Sequence, residues 1–515
     1  MRKDKILWAD DEIDLLKPHI LFLEDKGYEV FPVISGQDAI DCCKEQSFDI
    51  IFLDENMPGL SGLEALTQIK QMDPDVPIVM VTKSEEESIM DQAIGNKIAD
   101  YLIKPVNPNQ LLLSVKKNVH KSYIITETTT TNYQQEFSRI SMQINDACST
   151  DDWKDIYRKI IYWELTLQEG QAEMQDLLRI QKKEANQAFG KFVRKNYIDW
   201  IQKPQQRPLM SPDLFKQKIF PLLDKNEKIF FLLIDNFRLD QWHSVKSLLS
   251  DFFTFEENLY YSILPTATQY ARNAIFSGLM PLEIEKNFSS LWIDEESEEG
   301  KNINEEPLIR TQIERFRKNY TFSYHKIYDS RYGEKLVNSV SDLTKNQLNV
   351  IVLNFIDMLS HARTESIMIR ELAQNEAAYR SLTRSWFQHS TALEVIKKIA
   401  AKGCKIIITT DHGTIRVDNP VKIIGDKNTN TNLRYKVGKN LADYNYKEVY
   451  EIKDPEKAGL PSPNLSSKYV FALGESFFAY PNNYNYYVSY YKNTFQHGGI
   501  SLEEMLIPFI VLNPK

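Results

Sequence analysis

Short apolar runs alternate with amphipathic stretches over the first hundred residues of the chain. The runs lie at residues 6–9, 30–34, 50–54, 78–82 and 101–104. Runs of strand length that are separated by stretches with helical spacing are typical of parallel strands joined by helices. The pattern therefore predicts a five-stranded, doubly wound parallel α/β domain over residues 1–120.

The pattern changes after residue 120. Threonine occupies five of the positions 126–131, and the apolar periodicity is lost there, which predicts a linker. Residues 133–202 contain no proline, and apolar residues recur at helical spacing from Trp153 to Leu165 behind a capping-box pattern. We expect a small helical bundle, so that the linker and the bundle fill residues 121–203.

A second, larger α/β domain is predicted over residues 204–515. Prolines at positions 204, 208 and 212 mark its start, and strand-length apolar runs return at 228–234, 349–356 and 405–410. No apolar run approaches the roughly 20 residues that a membrane span needs, and no leader pattern opens the chain. We therefore expect a cytoplasmic protein without membrane insertion.

The net charge of −9 is concentrated in the first domain, where residues 1–120 carry 22 acidic against 12 basic side chains. The rest of the chain is close to neutral and has no basic stripe or helix-turn-helix pattern. Direct binding to duplex DNA is therefore not expected. Four cysteines without a C-x-x-C pair argue against a disulfide framework and a cysteine-based metal site.

Chemically active side chains follow the predicted strands of the first domain. Asp10 and Asp11 follow the first strand, whereas Asp54 ends the third, Thr82 the fourth and Lys104 the fifth. The carboxyl ends of parallel strands meet at one edge of a sheet, so these side chains should share a pocket. Three carboxylates in one pocket suit Mg²⁺, which prefers oxygen ligands.

These motifs resemble the receiver domain of two-component response regulators over about 120 residues. The resemblance implies that Asp54 accepts a phosphoryl group from a sensor histidine kinase. It implies Mg²⁺ ligands at Asp10, Asp11, Asp54 and the carbonyl of Asn56, and switch roles for Thr82, Tyr101 and Lys104. It also implies a cis bond before Pro105. The simpler alternative is that Asp54 only caps a strand.

Acidic residues also end the main apolar runs of the larger domain. Asp235, Asp357 and Asp411 each stop one run. A buried carboxylate is costly unless a cation or a hydrogen-bond donor offsets it, so three at strand ends indicate a cation site. His361 follows Asp357 by one helical turn, and His412 adjoins Asp411.

Two further motifs complete this set. His497 precedes two glycines, which allow the backbone to come close to a site. Thr268, in Pro-Thr-Ala-Thr, falls at the start of a predicted amphipathic helix, where free N–H groups suit a phosphate. Thr266 is the rival nucleophile in the same motif.

Together these motifs resemble the PglZ-type members of the alkaline phosphatase superfamily over residues 205–515. The resemblance implies two Zn²⁺ ions, with Mn²⁺ as the alternative, and Thr268 as the nucleophile. One metal would be held by Asp357, His361 and His497, and the other by Asp235, Asp411, His412 and Thr268.

Several residues of the larger domain keep two interpretations. Arg272 either clamps a phosphate or lies on the surface, and Arg238 either contacts a phosphate or pairs with Asp240. The tyrosine-rich stretch 480–491 either stacks on bases or shields the site. Three histidines match no motif and are expected to be structural: His243, His325 and His389.

The order of these parts resembles the PorX-type response regulators that are linked to type IX protein secretion. The resemblance implies a phosphorylation-controlled, zinc-dependent phosphodiesterase, a hydrolase that acts on a nucleotide or oligonucleotide signal. It also implies a phosphorylation-dependent homodimer and a candidate partner, an extracytoplasmic-function sigma factor. The alternative is a catalytically silent binding module that acts through partner proteins such as the sigma factor.

Overall fold

The structure is a computed structural model. It describes residues 3–83, 98–119, 121–167, 172–293, 302–327, 329–365, 367–426, 429–464 and 466–515. The chain forms two compact units, one within Met1–Asn132 and the other built from Tyr133–Leu167 and Ala172–Lys515. No helix among the described residues is long and apolar enough to cross a bilayer.

The first unit contains the predicted five-stranded parallel sheet, with strand order β2-β1-β3-β4-β5. Its strands are β1 (Lys5–Ala9), β2 (Glu29–Val33), β3 (Ile50–Leu53), β4 (Ile78–Thr82) and β5 (Asp100–Ile103). Its helices in the described ranges are α1 (Lys17–Asp25), α2 (Gly36–Glu45), α3 (Gly62–Met72) and α4 (Pro108–Val119).

Both faces of the sheet are buried at its central strands β1, β3 and β4. Ile6 and Trp8 of β1 belong to one apolar cluster, and Leu7 and Ala9 belong to another. Successive side chains of a strand point to opposite faces, so a strand covered by helices on both sides is apolar at every position. This explains why the central strands β1, β3 and β4 appear in the sequence as continuous apolar runs.

The threonine-rich segment lies within a helix, α5 (Lys121–Asp146). The sequence predicted a linker there because the apolar periodicity is lost. Threonine costs a helix only about 0.7 kcal/mol or less per residue relative to alanine, so a threonine-rich stretch can continue a helix. Lost periodicity was therefore a poor guide to backbone structure in this segment.

The helices that follow α5 share a hydrophobic core with the larger domain. They are α6 (Thr150–Thr166) and α7 (Ala172–Gln202). Trp153 and Phe189, on these two helices, belong to the same buried cluster as strand residues near the carboxyl terminus of the chain. The predicted capping box opens α6, with the Asp152 backbone N–H 3.2 Å from Ser149 Oγ.

The second unit is built on a mixed six-stranded sheet of order β7-β18-β10-β6-β9-β8. The strands β8, β9, β6 and β10 are parallel, whereas β18 runs antiparallel to β10 and β7. The six strands are β6 (Ile229–Ile234), β7 (Phe253–Tyr261), β8 (Phe322–Ile327), β9 (Leu348–Leu353), β10 (Lys405–Thr409) and β18 (Leu506–Pro514).

Smaller sheets and further helices surround it. The short strands are β11 (Ile415–Arg416), β12 (Asn419–Lys422), β13 (Tyr435–Gly438), β14 (Val449–Ile452), β15 (Lys468–Ala472), β16 (Ser476–Ala479) and β17 (Phe495–Gln496). The helices are α8 (Phe220–Leu223), α9 (Leu239–Val245), α10 (Thr268–Ser277), α11 (Pro281–Asn287), α12 (Glu305–Arg315), α13 (Ser330–Leu343), α14 (Phe355–Glu365), α15 (Ile367–Leu372), α16 (Glu376–His389), α17 (Thr391–Ala401), α18 (Tyr484–Tyr491) and α19 (Leu502–Met505). Because β6, β9 and β10 are parallel, the residues that follow them meet at one edge of the sheet.

Candidate metal centre and phosphoacceptor pocket

The first unit places three acidic side chains together at the carboxyl edge of its sheet. Carboxylate oxygens of Asp10, Asp11 and Asp54 all lie within 4.8 Å of one another. Lys104 Nζ lies 2.6 Å from Asp10 Oδ2 and 2.6 Å from Asp54 Oδ2. Burial raises the pKa of Asp10 despite the opposing effect of Lys104. A divalent cation would relieve this cost, so the pocket fits Mg²⁺.

The other predicted receiver residues lie on β4 and β5 or close to Asp54 in the chain. Thr82 ends β4 and is fully buried, and Tyr101 lies partly buried in β5. The backbone N–H of Asn56 lies 3.5 Å from Asp54 Oδ1. The Lys104–Pro105 bond is cis, as expected.

In the second unit, six of the predicted metal ligands form two groups. Asp357, His361 and His497 each offer an atom within 4.8 Å of the others, and so do Asp235, Asp411 and His412. The imidazoles of His412 and His497 stack with ring centroids 4.2 Å apart and an interplanar angle of 16°, which joins the two groups. His361 is exposed to solvent, with 62% of its side-chain surface accessible.

The histidine rings present their Nε2 atoms to the carboxylates. His412 Nδ1 lies 3.2 Å from the carbonyl of Gly413, and His497 Nδ1 lies 3.2 Å from the carbonyl of Thr266. A carbonyl can only accept, so each Nδ1 carries the hydrogen and each Nε2 carries a lone pair that can bind a metal. Metal-binding histidines are usually held in this way.

The pKa values of His497 and Asp235 in this cluster are shifted in directions that also favour a bound cation. Burial, together with His412 and His361, lowers the pKa of His497 well below its usual value, which keeps the ring in the neutral, ligating form. Burial raises the pKa of Asp235 well above its usual value. Asp235 Oδ1 is buried and accepts no hydrogen bond from any group in the described ranges. The mixed imidazole and carboxylate donors therefore fit divalent metals such as Zn²⁺.

The hydroxyl of Thr268 contacts a predicted metal ligand, whereas the hydroxyl of Thr266 contacts backbone groups. Thr268 opens α10, is half-buried, and has its Oγ1 3.0 Å from His412 Nε2. Thr266 is fully buried, donates from Oγ1 to the Gly499 carbonyl at 2.8 Å and accepts from the Gly498 N–H at 3.1 Å. The Thr266 hydroxyl is thus engaged by the backbone next to His497.

Of the two interpretations of Arg272, the one that places it on the surface is wrong. Its side chain is 0% exposed, and it contacts Asp235, Asp411 (Nε to Oδ2, 2.9 Å) and Glu305 (Nη1 to Oε1, 3.1 Å). Burial opposes ionisation of Asp411, but Arg272 and His412 lower its pKa to about 2. The sequence suggested an amphipathic helix, whereas every residue of α10 after Thr268 is buried.

Arg238 is also held by carboxylates. Its Nε lies 3.0 Å from Asp240 Oδ1 and its Nη2 lies 2.7 Å from Asp240 Oδ2. The same Nη2 lies 2.5 Å from Glu376 Oε2. Of the two interpretations of Arg238, this geometry corresponds to the pair with Asp240.

The structure adds residues that the sequence did not single out for a role. Asn236 Nδ2 donates to Asp357 Oδ1 at 3.4 Å, and its backbone adopts a φ of 63°, which asparagine tolerates. Arg434 binds Glu504 with two short contacts, Nη2 to Oε2 at 2.6 Å and Nε to Oε1 at 3.1 Å. The only sequence signal for Asn236 is its position directly after Asp235. The only one for Glu504 is its position seven residues after His497.

The remaining sequence candidates lie outside both ligand groups. His243 Nε2 lies 3.9 Å from Glu257, and His325 Nδ1 lies 3.1 Å from the hydroxyl of Tyr332. Most of the tyrosine-rich stretch forms α18, on which Tyr486 is 64% exposed. Both interpretations of that stretch stay open.

Three family models match successive parts of the chain. They are the response regulator receiver domain over residues 6–116, the PorX response regulator linker domain over residues 123–201 and the BREX system PglZ alkaline phosphatase-like domain over residues 214–512. The transcriptional regulatory protein ResD of Bacillus subtilis (strain 168) is 33% identical over 156 residues, which are 30% of this chain. The match spans 64% of the length of that relative.

Solved structures match over about a quarter of the chain. A CheY-like receiver domain protein from Methanospirillum hungatei JF-1 shares 25% identity over 23% of this chain and 96% of that chain, with a TM-score of 0.23. Chemotaxis protein CheY4 of Vibrio cholerae shares 28% identity over 23% and 99%, with a TM-score of 0.22. The PglZ match covers more than half of the 515 residues. The chain therefore belongs to the PglZ alkaline phosphatase-like family, and it carries the receiver and linker modules of a PorX-type response regulator before that domain.

Proposed function

We propose that the protein is a response regulator whose receiver is phosphorylated on Asp54 and controls a metal-dependent phosphodiesterase in the PglZ-type domain. One observation carries the enzymatic part. Two groups of ligand side chains are joined by the stacked rings of His412 and His497, 4.2 Å apart, and the Thr268 hydroxyl lies 3.0 Å from His412 Nε2.

The two groups would hold one divalent cation each. Asp357, His361 and His497 fit the first cation, and Asp235, Asp411 and His412, with Thr268 beside them, fit the second. Imidazole with carboxylate favours Zn²⁺, with Mn²⁺ as the alternative. When bound, the pair would supply electrostatic stabilisation of the charge that develops on the phosphoryl oxygens.

Thr268 is the proposed nucleophile. It lies at the start of α10, and the amino terminus of a helix favours an anionic phosphate. Attack on a diester would form a bond between Thr268 Oγ1 and phosphorus and break the bond to one ester oxygen, which leaves as an alcohol with the threonine proton. Water would then cleave the threonine ester and release a phosphomonoester.

The finer parts of the proposal rest on the family resemblance. It implies a diester substrate, because the diesterase branches of the superfamily tend to use threonine, and the proposed diester is a nucleotide or oligonucleotide signal. It also implies a sensor histidine kinase as phosphodonor, a phosphorylation-dependent homodimer, a sigma factor as partner, a cytoplasmic location and a role in type IX secretion. The proposed domains are the receiver (residues 1–120), the linker with the helical bundle (121–203) and the PglZ-type domain (204–515).

The alternative is a catalytically silent regulatory module. One observation favours it, because Arg272 already contacts both Asp235 and Asp411 and partly compensates their charge. In that case the second ligand group would need no cation.

Metal analysis and a substrate screen test the proposal. The zinc-loaded full chain should hydrolyse bis(4-nitrophenyl) phosphate faster than 4-nitrophenyl phosphate, and a chelator should abolish both reactions. His412→Ala should lose metal and turnover. His389→Ala is the matched control, because His389 is exposed at the end of α16. If the zinc-loaded chain cleaves neither ester, the enzymatic proposal fails and the silent module replaces it.

A further inference from the structure

Helix α7, most of which lies in the region matched by the linker-domain model, contacts a glutamate near the carboxyl terminus of the chain. Lys182 Nζ lies 2.9 Å from Glu164 Oε2 on α6 and 3.0 Å from Glu503 Oε1 on α19. One turn further along α7, Asn186 Nδ2 donates to Glu503 Oε2 at 3.1 Å, and Asn186 Oδ1 accepts from the Leu502 N–H at 2.7 Å. Glu503 is 2% exposed, so α7 engages both oxygens of a buried carboxylate.

The helix that carries Glu503 touches the backbone next to both stacked histidines. The carbonyl of Glu504 accepts from the N–H of Gly413 at 3.4 Å, directly after His412. Glu504 Oε1 accepts from the N–H of Gly499 at 2.9 Å, two residues after His497. A Cβ on Gly413 would lie 2.0 Å from the carbonyl oxygen of Glu503, so glycine permits this approach. The position of α19 is therefore coupled to the backbone next to both histidines.

A second series of contacts leads from Glu164 of α6 to the same two histidines. Arg380 Nη1 lies 2.6 Å from Glu164 Oε1 and 3.3 Å from Asp240 Oδ2, and Asp240 holds Arg238. Arg238 Nη1 donates to the Thr414 carbonyl at 3.2 Å, two residues after His412.

The Arg238 guanidinium also packs on the chain before His497. It lies 5.3 Å from the ring centroid of Phe495. Both paths therefore lead from linker residues to backbone within two residues of His412 or His497.

We propose that Lys182 and Asn186 are positioning residues of the metal centre, which hold α19 so that His412 and His497 keep their ligating orientation. This inference rests on the proposed function, because it gives the linker a part in the phosphodiesterase site. Ligand side chains must be held within about 0.5 Å of the productive geometry. Loss of outer-shell partners typically lowers metal affinity or activity by about 10–100-fold. The residues matched by the linker-domain model thus form part of the catalytic unit.

Lys182→Met in the full chain tests the proposal, with Lys183→Met as the matched control. Lys183 is the next residue of α7 and pairs with Glu475 at 3.4 Å, but its side chain is 46% exposed. Lys182→Met should lower zinc affinity, measured by competition with a chromogenic chelator, by about 10-fold or more. It should lower kcat for bis(4-nitrophenyl) phosphate similarly and change KM little. Lys182→Arg should restore much of both, since it keeps a cation between the two glutamates.

A merely structural lysine would lower the melting temperature and leave the zinc affinity of the folded protein unchanged. The proposal is overturned if Lys182→Met and Lys183→Met bind zinc with equal affinity. If Lys182→Met does not fold, Asn186→Ala decides by the same comparison, because it removes only the two hydrogen bonds to α19. The zinc measurement needs no turnover, so it still tests this inference if the wild-type chain cleaves no ester and the proposed function fails.

Discussion

The two threonines of the Pro-Thr-Ala-Thr motif should respond oppositely to the same substitution. Thr268→Ala removes a hydroxyl that lies 3.0 Å from His412 Nε2. Thr266→Ala removes a hydroxyl that bridges the Gly499 carbonyl and the Gly498 N–H. The first change should abolish turnover with little effect on stability, and the second should lower stability.

The magnitudes follow from what each hydroxyl leaves behind. Thr266→Ala leaves a buried N–H and a buried carbonyl each without this partner, at about 1–3 kcal/mol per group. The melting temperature should fall by on the order of 5 °C or more. Thr268→Ala loses one hydrogen bond at a half-buried position, about 1 kcal/mol. Its kcat should fall by about 10³-fold or more, as expected for loss of a nucleophile.

Both variants are assayed as zinc-loaded full chains. Release of 4-nitrophenolate from bis(4-nitrophenyl) phosphate gives kcat and KM, and differential scanning calorimetry gives the melting temperature. Bound zinc is measured for each sample, because Thr268→Ala must retain metal for the comparison to report on the nucleophile. Thr268→Ser and Thr266→Ser keep the hydroxyl and are the conservative controls.

One pattern of results would refute the reasoning. If Thr268→Ala retains the wild-type kcat while Thr266→Ala loses turnover at an unchanged melting temperature, Thr266 is the nucleophile. The placement of Thr268 beside His412 would then have no catalytic meaning.

The remaining predictions concern the phosphoacceptor, the assembly state and two buried side chains. Acetyl phosphate with Mg²⁺ should label the wild-type chain and not Asp54→Ala, and equal labelling in a phosphate-affinity gel would remove the phosphoacceptor assignment. Beryllofluoride, which mimics the phosphoryl group, should raise the dimer fraction in light scattering, and an unchanged mass would indicate a switch within one chain. Arg434→Met should lower the free energy of unfolding by about 3–5 kcal/mol, because the fully buried Glu504 loses a guanidinium 2.6 Å from its Oε2; a denaturation midpoint equal to wild type would contradict this. Burial lowers the pKa of Lys436 to about 7, below the unfolded value of about 10.4. Between these two values the unfolded chain binds the extra proton, so stability should rise with pH in the wild type and less in Lys436→Met; parallel stability curves would exclude the effect.

Much of the architecture could be predicted from the sequence because its signals are local. The central strands β1, β3 and β4 of the first unit are buried on both faces, so each of them is visible as a continuous apolar run. Candidate ligands such as Asp235 and Asp411 stand directly after such runs. Parallel strands share one carboxyl edge, so strand ends that are far apart in sequence could be expected to meet.

Local signals failed where a helix is covered on every side. Helix α10 packs against α12, Phe276 contacts Phe231 of β6, and Tyr270 contacts Tyr435 of β13. Elements from distant parts of the chain bury it, so its apparent polar face did not indicate exposure. The burial of Arg272 between carboxylates is a consequence that spacing could not reveal.

The sequence by itself determined which residues are candidates, the order of the modules and the strand-end chemistry, because these depend on residue type and local periodicity. Only the tertiary structure decided between Thr266 and Thr268 as the neighbour of His412, since their separation of two residues leaves both possible until the backbone around Gly498 is placed. It alone brought Lys182 to Glu503, 321 positions later in the chain. Contacts of this range depend on how whole elements pack, and no pattern within a single segment of sequence encodes them.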